Sequence, residues 1–309
     1  MIGKTRQRSA KERPAPERPA QERLSQGGHE REHRADIEEV FDPEVGQARG
    51  MLRRPMPAGK MRHSRRRPSP DVAPWIAHYW IIHWDLRGRD PHVAESLPHP
   101  NIHLIFEKGG AVIAGVQTHK FSRLLEGEGR VFGVKFRPGG FHPFYRAPVS
   151  KLADRIITAS RVFGTDLEAL EEIVLSSCKE DDKVEAANAF FHARMAKPDP
   201  AIALAGQLVD RILHVPEIKT VDDLAGSTGI GKRSLQRLFS EYVGVSPKWV
   251  IRRYRLHELI EKFNSGARLD WAQLALELGY FDQAHLINDF KSIAGYSPTE
   301  YQKLLGKNS

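Results

Sequence analysis

VDDLAGSTGIGKRSLQRLFSEYVGVSP (residues 221–247) and WAQLALELGYFDQAHLINDFKSIAGYSP (residues 271–298) are the stretches whose reading decides the fold. Leu224-Ala225, Gly229, Leu235, Phe239, Gly244 and Ser246-Pro247 of the first recur in the second as Leu274-Ala275, Gly279, Leu286, Phe290, Gly295 and Ser297-Pro298. The offset is 50 residues up to the glycine at 229/279 and 51 from the leucine at 235/286 onward. One residue has therefore been added in the turn of the second copy. Matched punctuation at fixed spacing is what a duplicated supersecondary unit leaves behind. Each copy reads helix, tight turn, helix, stop, which is the layout of a helix-turn-helix DNA reader.

Helical spacing separates scaffold from surface within each copy. Thr220 caps the first helix, Gly229 allows the turn, and a second helix from about Lys232 buries Leu235, Leu238 and Phe239. Arg233, Ser234, Gln236 and Arg237 then face outward. Gly244 stops that helix, and Ser246-Pro247 opens a long one running to Phe263. In the second copy Trp271 to Leu278 is the positioning helix and Gly279 the turn. Asp282 caps the reading helix, which buries Leu286, Ile287 and Phe290 and exposes Gln283, Ala284, His285 and Asn288. Tyr301 packs beneath.

Residues 202–305, about a third of the chain, resemble the DNA-binding domain of the AraC/XylS family of bacterial transcription regulators. The resemblance is carried by Gly279-Tyr280-Phe281, Phe290-Lys291, Gly295-Tyr296-Ser297-Pro298 and Tyr301. It implies an all-α fold of seven helices, with two helix-turn-helix units joined by the helix from Pro247 to Phe263. Two reading helices on one rigid connector can enter major-groove segments about 34 Å apart on one face of the duplex. The resemblance places Arg233, Ser234, Gln236 and Arg237 at the DNA in the first unit, and Asp282, Gln283, His285 and Asn288 in the second. Arginine can pair with guanine, and Gln or Asn with adenine, each good pair being worth roughly 1–3 kcal/mol of discrimination. Arg237 serves either as a base reader or as a phosphate clamp. Two departures from the family pattern, Ala284 at a reader position and Asn288 where a basic residue is frequent, imply that the first reader dominates.

Bulk properties bound the rest. The chain has 309 residues, enough for about two domains, and a net charge of +8. Residues 1–70 hold 17 Lys/Arg against 10 Asp/Glu, whereas residues 201–309 hold 14 against 12. The charge excess sits in the tail, so composition alone does not mark the C-terminal part as nucleic-acid binding. No run of apolar residues is long enough to span a membrane, and the Arg-rich N-terminus lacks the apolar core of a secretory signal. A single cysteine, Cys178, fits a reducing compartment. The expected location is the cytoplasm, in association with the nucleoid.

The predicted fold class is a multidomain α+β protein. Residues 1–70 read as a disordered basic tail, with Arg62 and Arg65-Arg66-Arg67 available for nonspecific phosphate contacts. Residues 71–197 read as a β-rich regulatory or effector-type domain with a helical extension. Residues 198–309 form the double helix-turn-helix domain. In the middle domain, Ile76, His78, Trp80, Ile82 and Trp84 are expected on one strand face. Residues 101–107, 111–116 and 130–137 are expected as further strands, and Trp75, Trp80, Trp84 and Phe132 as core. A capping box is expected at Thr165 and Glu168, and a cap at Asp199.

Residues 74–175 resemble a small uncharacterised sensor-type domain, on Leu97-Pro98-His99-Pro100, His103-Leu104-Ile105-Phe106 and the run Gly133 to Phe141. His99, His103 and Glu107 do not match a metal-ligand spacing, and no catalytic, cofactor or metal residue is expected. Expected partners are operator DNA, a small-molecule effector, RNA polymerase and a second copy of the chain. The alternatives are a ligand-free architectural DNA-binder and an enzyme with a DNA-targeting domain. The latter would require an activated nucleophile that Cys178 is not placed to supply.

Overall fold

A computed structural model of the chain describes residues 36–46, 50, 52, 60–195, 199–264 and 270–306. Among the described residues nine strands precede most of the helices: β1 (Asp36–Phe41), β2 (Lys60–Arg66), β3 (Ile76–Asp85), β4 (His92–Ser96), β5 (His103–Glu107), β6 (Gly110–Ala114), β7 (Phe121–Leu125), β8 (Glu128–Phe136) and β9 (Ile156–Thr158). They form a seven-stranded sheet in the order β1-β2-β3-β8-β5-β6-β9 and a separate β4-β7 pair. The pair β1-β2 is parallel and the remaining pairs are antiparallel. Short helices α1 (His142–Tyr145) and α2 (Ser160–Phe163) follow, then α3 (Glu168–Ser176) and α4 (Glu180–His192).

Alternation along β8 explains the sheet's inner face. Phe132, Val134 and Phe136 are buried together with Tyr79 and Ile81 of β3, Leu104 and Phe106 of β5 and Ile113 of β6. Leu170 and Val174 of α3 and Ala187, Phe190 and Phe191 of α4 close over this face. The expectation for β3 holds for His78, Trp80, Ile82 and Trp84, but not for Ile76. A register shift between Ile76 and His78 pairs Ile76 with Phe136, which turns Ile76 onto the core face. Trp75 and Phe132 are core as expected, while Trp80 and Trp84 lie on the opposite, less buried face.

Two further expectations are corrected. Within residues 1–70, the described strands β1 and β2 are ordered elements of the sheet, because the arginines of β2 find partners far away in sequence. Arg62 lies 3.2 Å from Glu180, Arg66 pairs with Asp181, and Arg65 binds the His78 ring. The rest of the expected tail lies outside the described residues. Thr165 does not cap a helix; residues Gly164–Leu167 form a 3-10 turn leading directly into α3, with no side-chain cap at its start. Asp199 does cap as expected, accepting from the Ala201 N–H at 2.8 Å.

The C-terminal region has seven helices among the described residues: α5 (Pro200–His214), α6 (Val221–Thr228), α7 (Lys232–Leu238), α8 (Pro247–Asn264), α9 (Trp271–Glu277), α10 (Gln283–Ala294) and α11 (Pro298–Gly306). One hydrophobic cluster runs from the sheet through α5 into the α6-α7 unit and the start of α8. A second joins the later half of α8 to α9, α10 and α11, with Leu52 and Leu97 of the β-rich region included. No described helix is long and apolar enough to cross a membrane.

Candidate nucleic-acid interface

The first unit is fixed by local hydrogen bonds before any packing is considered. Thr220 accepts from the Asp223 N–H at 3.1 Å, and Asp223 accepts from the Thr220 N–H at 2.7 Å, a reciprocal capping box on α6. Burial opposes ionisation of Asp223, but hydrogen bonds from Thr220 and the Lys219 N–H hold its carboxyl below the usual range. Gly229 ends α6 with φ +70°, a left-handed conformation that glycine adopts without steric cost. Leu224, Leu235 and Phe239 are fully buried and set the angle of α7. A π-helical turn, Phe239–Val243, extends it to Gly244. Arg233, Ser234, Gln236 and Arg237 are all exposed along α7, on the surface the spacing predicts.

The second unit repeats the scheme with different caps. Asp270 accepts from the Ala272 and Gln273 N–H groups to start α9, and Gly279 turns at φ +73°. Asp282 accepts from the His285 N–H at 2.7 Å, so its side chain holds the start of α10. Leu286 and Phe290 are buried against Phe263 and Tyr301. Gln283, Ala284, His285 and Asn288 are exposed. The His285 ring packs edge-on against Tyr280 at 5.1 Å, which limits its freedom.

The exposed faces of α7 and α10 differ in charge. Lys232, Arg233 and Arg237 give α7 three exposed cations, whereas the first two turns of α10 contribute no Lys or Arg before Lys291. Sequence reasoning missed Phe281, which is 89 % exposed immediately before α10. An apolar ring so placed could have been noticed as a residue with no helical stripe to join. It also missed the fork from Arg252 of α8 onto Asp289 of α10, with Nε 2.5 Å from Oδ2. That ion pair ties α8 to α10. No group of three or more potential metal-ligating side chains is assembled among the described residues.

Residues 224–304 match the family model described as a helix-turn-helix domain, and residues 64–158 match one described as a domain of unknown function (DUF6597). Among solved structures, ToxT from Vibrio cholerae is 13% identical, with 80% of this chain and 98% of that chain covered at a TM-score of 0.36. The xylose-binding transcription activator xylR is 20% identical over 40% of this chain and 38% of its own, at 0.27. The AraC-like transcriptional activator CuxR is 16% identical over 61% and 78%, at 0.19. A search of curated proteins returns no significant match. The fold and its two exposed helices define a DNA-binding protein of the double helix-turn-helix class. Its C-terminal helices match a helix-turn-helix domain model and follow a β-rich domain.

Proposed function

We propose that the protein is a sequence-specific transcription regulator that reads two successive major-groove segments, one with each helix-turn-helix unit. The observation that carries this reading is the doubled unit itself. Two short helices project polar residues outward from buried anchors at equivalent positions, and the single helix α8 joins them. Arg233, Ser234, Gln236 and Arg237 contact DNA in the first unit. Gln283, His285 and Asn288 do so in the second, with Asp282 as the cap that aims them. Because the two surfaces are unlike, the operator is asymmetric. The protein acts by binding rather than by catalysis, in the cytoplasm and on the nucleoid, with RNA polymerase and a second copy of the chain as its protein partners.

The β-rich domain modulates that binding, and its contacts support this role. Tyr296 OH donates to Glu95 at 2.5 Å, the His119 ring lies 2.9 Å from the Ser292 carbonyl, and the Trp249 indole donates to the Thr118 carbonyl at 3.3 Å. On the first unit, His142 lies 2.9 Å from Glu241. Both units are therefore held by the same domain, so a ligand that favours one arrangement of it would bias both. The test is selection of binding sites from genomic fragments with the full chain, followed by footprinting. Two protected windows about one helical turn apart are expected. A single window, or fragments recovered without sequence preference, would refute the reading and favour an architectural DNA-binder.

A further inference from the structure

The residue by which the second helix-turn-helix unit exceeds the first changes what its turn presents. Counted forward from Gly229 and Gly279, Tyr280 stands where the first unit has Ile230. Counted back from Leu235 and Leu286, Phe281 stands there instead. Ile230 is half-buried against the core of its unit. In the second unit Tyr280 takes that inward place, buried in the same cluster as Leu274, Leu278 and Leu286. Phe281 is displaced outward. At 89 % it is the most exposed large apolar side chain among the described residues.

A single apolar residue on a protein surface is ordinary. Phe281 is set apart by how it is held and by where it stands. Both of its neighbours are pinned. The Tyr280 N–H donates to the Ala275 carbonyl at 2.8 Å, and the Tyr280 ring lies edge-on to that of His285. Asp282, as the N-cap of α10, accepts from the His285 N–H at 2.7 Å. The phenyl ring is therefore presented from a fixed turn. It stands immediately ahead of α10, and the N-terminal residues of a reading helix are those that meet base edges.

The start of α10 is apolar where the start of α7 is charged. Gly231 and Asp282 are the matching N-caps, and by the same count exposed Ala284 stands where α7 has Arg233. With no cation before Lys291, this end of α10 lacks the charge that would hold it to phosphates. In the major groove the apolar feature of the base pairs is the thymine 5-methyl group, which Ala and Phe side chains contact. Gln283 and Asn288, exposed on the same helix, suit the adenine edge of such a pair.

We propose that Phe281 and Ala284 form an apolar corner that reads thymine 5-methyl groups, so that the second unit selects A·T pairs by methyl contact. This inference rests on α10 being a DNA-reading helix, as proposed above, and names the bases it selects.

The test uses the full chain and the duplex it selects from genomic fragments. Each thymine is replaced singly by deoxyuridine, which keeps the base pair and removes only the methyl group. In one of the two protected windows, at least one replacement should weaken binding about fourfold, the worth of burying one methyl group. Phe281→Ala should weaken binding to the unmodified duplex by about fourfold or more and erase the penalty at one of those positions. Its salt dependence and thermal melt should match the parent's, because an exposed neutral ring makes no phosphate contact and leaves no cavity. Replacements in the other window should cost parent and variant alike. The proposal is overturned if no deoxyuridine weakens binding, or if every penalty persists in Phe281→Ala. It is also overturned if Phe281→Ala binds the duplex as the parent does yet loses control of transcription in vitro, which would assign the ring to a protein partner. A protein that selects a two-window operator but ignores thymine methyls sinks only this proposal. One that selects no operator sinks the regulatory reading and this inference with it.

Discussion

Replacing Glu95 by Gln should release the second helix-turn-helix unit from the β-rich domain while leaving the sheet intact. Glu95 is 4 % exposed, at the centre of a junction formed by three elements. Its carboxylate accepts from Lys120 Nζ at 2.5 Å and from Tyr296 OH at 2.5 Å, with Ser122 Oγ at 3.4 Å. Lys120 also lies over the Tyr296 ring, 3.9 Å from its centroid. Burial opposes the charge on Lys120, yet its hydrogen bonds to Glu95 and Tyr296 together hold its pKa above the ordinary value. The amide of Gln keeps the volume but removes the charge both donors were arranged around.

Breaking a buried pair by neutralising one partner costs about 3–5 kcal/mol. Lys120 retains some contact with water, so the lower end applies, about 3 kcal/mol. Tyr296→Phe removes a single hydrogen bond to a charged acceptor and should cost about 2 kcal/mol. The double variant should fall short of the sum by about 1 kcal/mol, since the two residues touch. Hydrogen exchange reads this region by region. In Glu95→Gln the slowest amides of α10 and α11 should exchange about a hundredfold faster, whereas those of β8 should be unchanged. Equal acceleration in β8 and α10 would show that Glu95 supports the whole fold. No acceleration would show that the junction contributes nothing, and either result refutes the reasoning.

Three other predictions follow from single positions. In operator titrations, Gln236→Ala and Arg237→Ala should each cost roughly 1–3 kcal/mol, and more than Gln283→Ala; the reverse ranking would refute dominance of the first reader. Lys135, pushed down to about 7 by burial and then by Arg65 and Arg253, binds fewer protons folded than unfolded between pH about 7 and 10. Stability should therefore rise with pH across that window by at most about 1.4 kcal/mol per unit, and denaturant titrations should show the slope diminished in Lys135→Met. Gly244→Ala should destabilise by at least about 1 kcal/mol, because φ is +96° and the new Cβ would meet Val149 Cγ1 at 3.0 Å. Gly226→Ala, in open space on α6, should instead stabilise by about 0.5–1 kcal/mol, and thermal melts distinguish the pair.

The repeat was legible because its determinants are local. Gly229, Gly244, Gly279 and Gly295 all take positive φ, and their places in sequence dictate where each helix must end. Leu235, Phe239, Leu286 and Phe290 are buried because helical periodicity leaves them no other face. What was not legible depends on partners distant in the chain. The Arg-rich stretch of β2 has the composition of a solvated tail, and only Glu180, Asp181 and His78 reveal it as a strand. Ile76 obeys a two-residue alternation until the bulge before His78 reverses it, and no local signal marks the bulge. The cluster of basic side chains on the outer sheet face was hidden for the same reason. Arg65, His78, His103, Lys135 and Arg253 stand on five elements, and only sheet register and the docking of α8 bring them together.

Helix α8 joins the β-rich domain to both helix-turn-helix units, and consecutive residues show how. Val250 and Ile251 are buried in the cluster shared by the sheet and the first unit, whereas Leu256, Leu259 and Ile260 belong to the cluster of the second. Between them, Arg253 enters the β-rich domain at Pro98 while its neighbour Arg252 forks onto Asp289 of α10. Successive side chains on a helix point about 100° apart, so one turn of α8 addresses both partners at once. A packed helix moves as a rigid element, and a displacement at Arg253 cannot occur without one at Arg252.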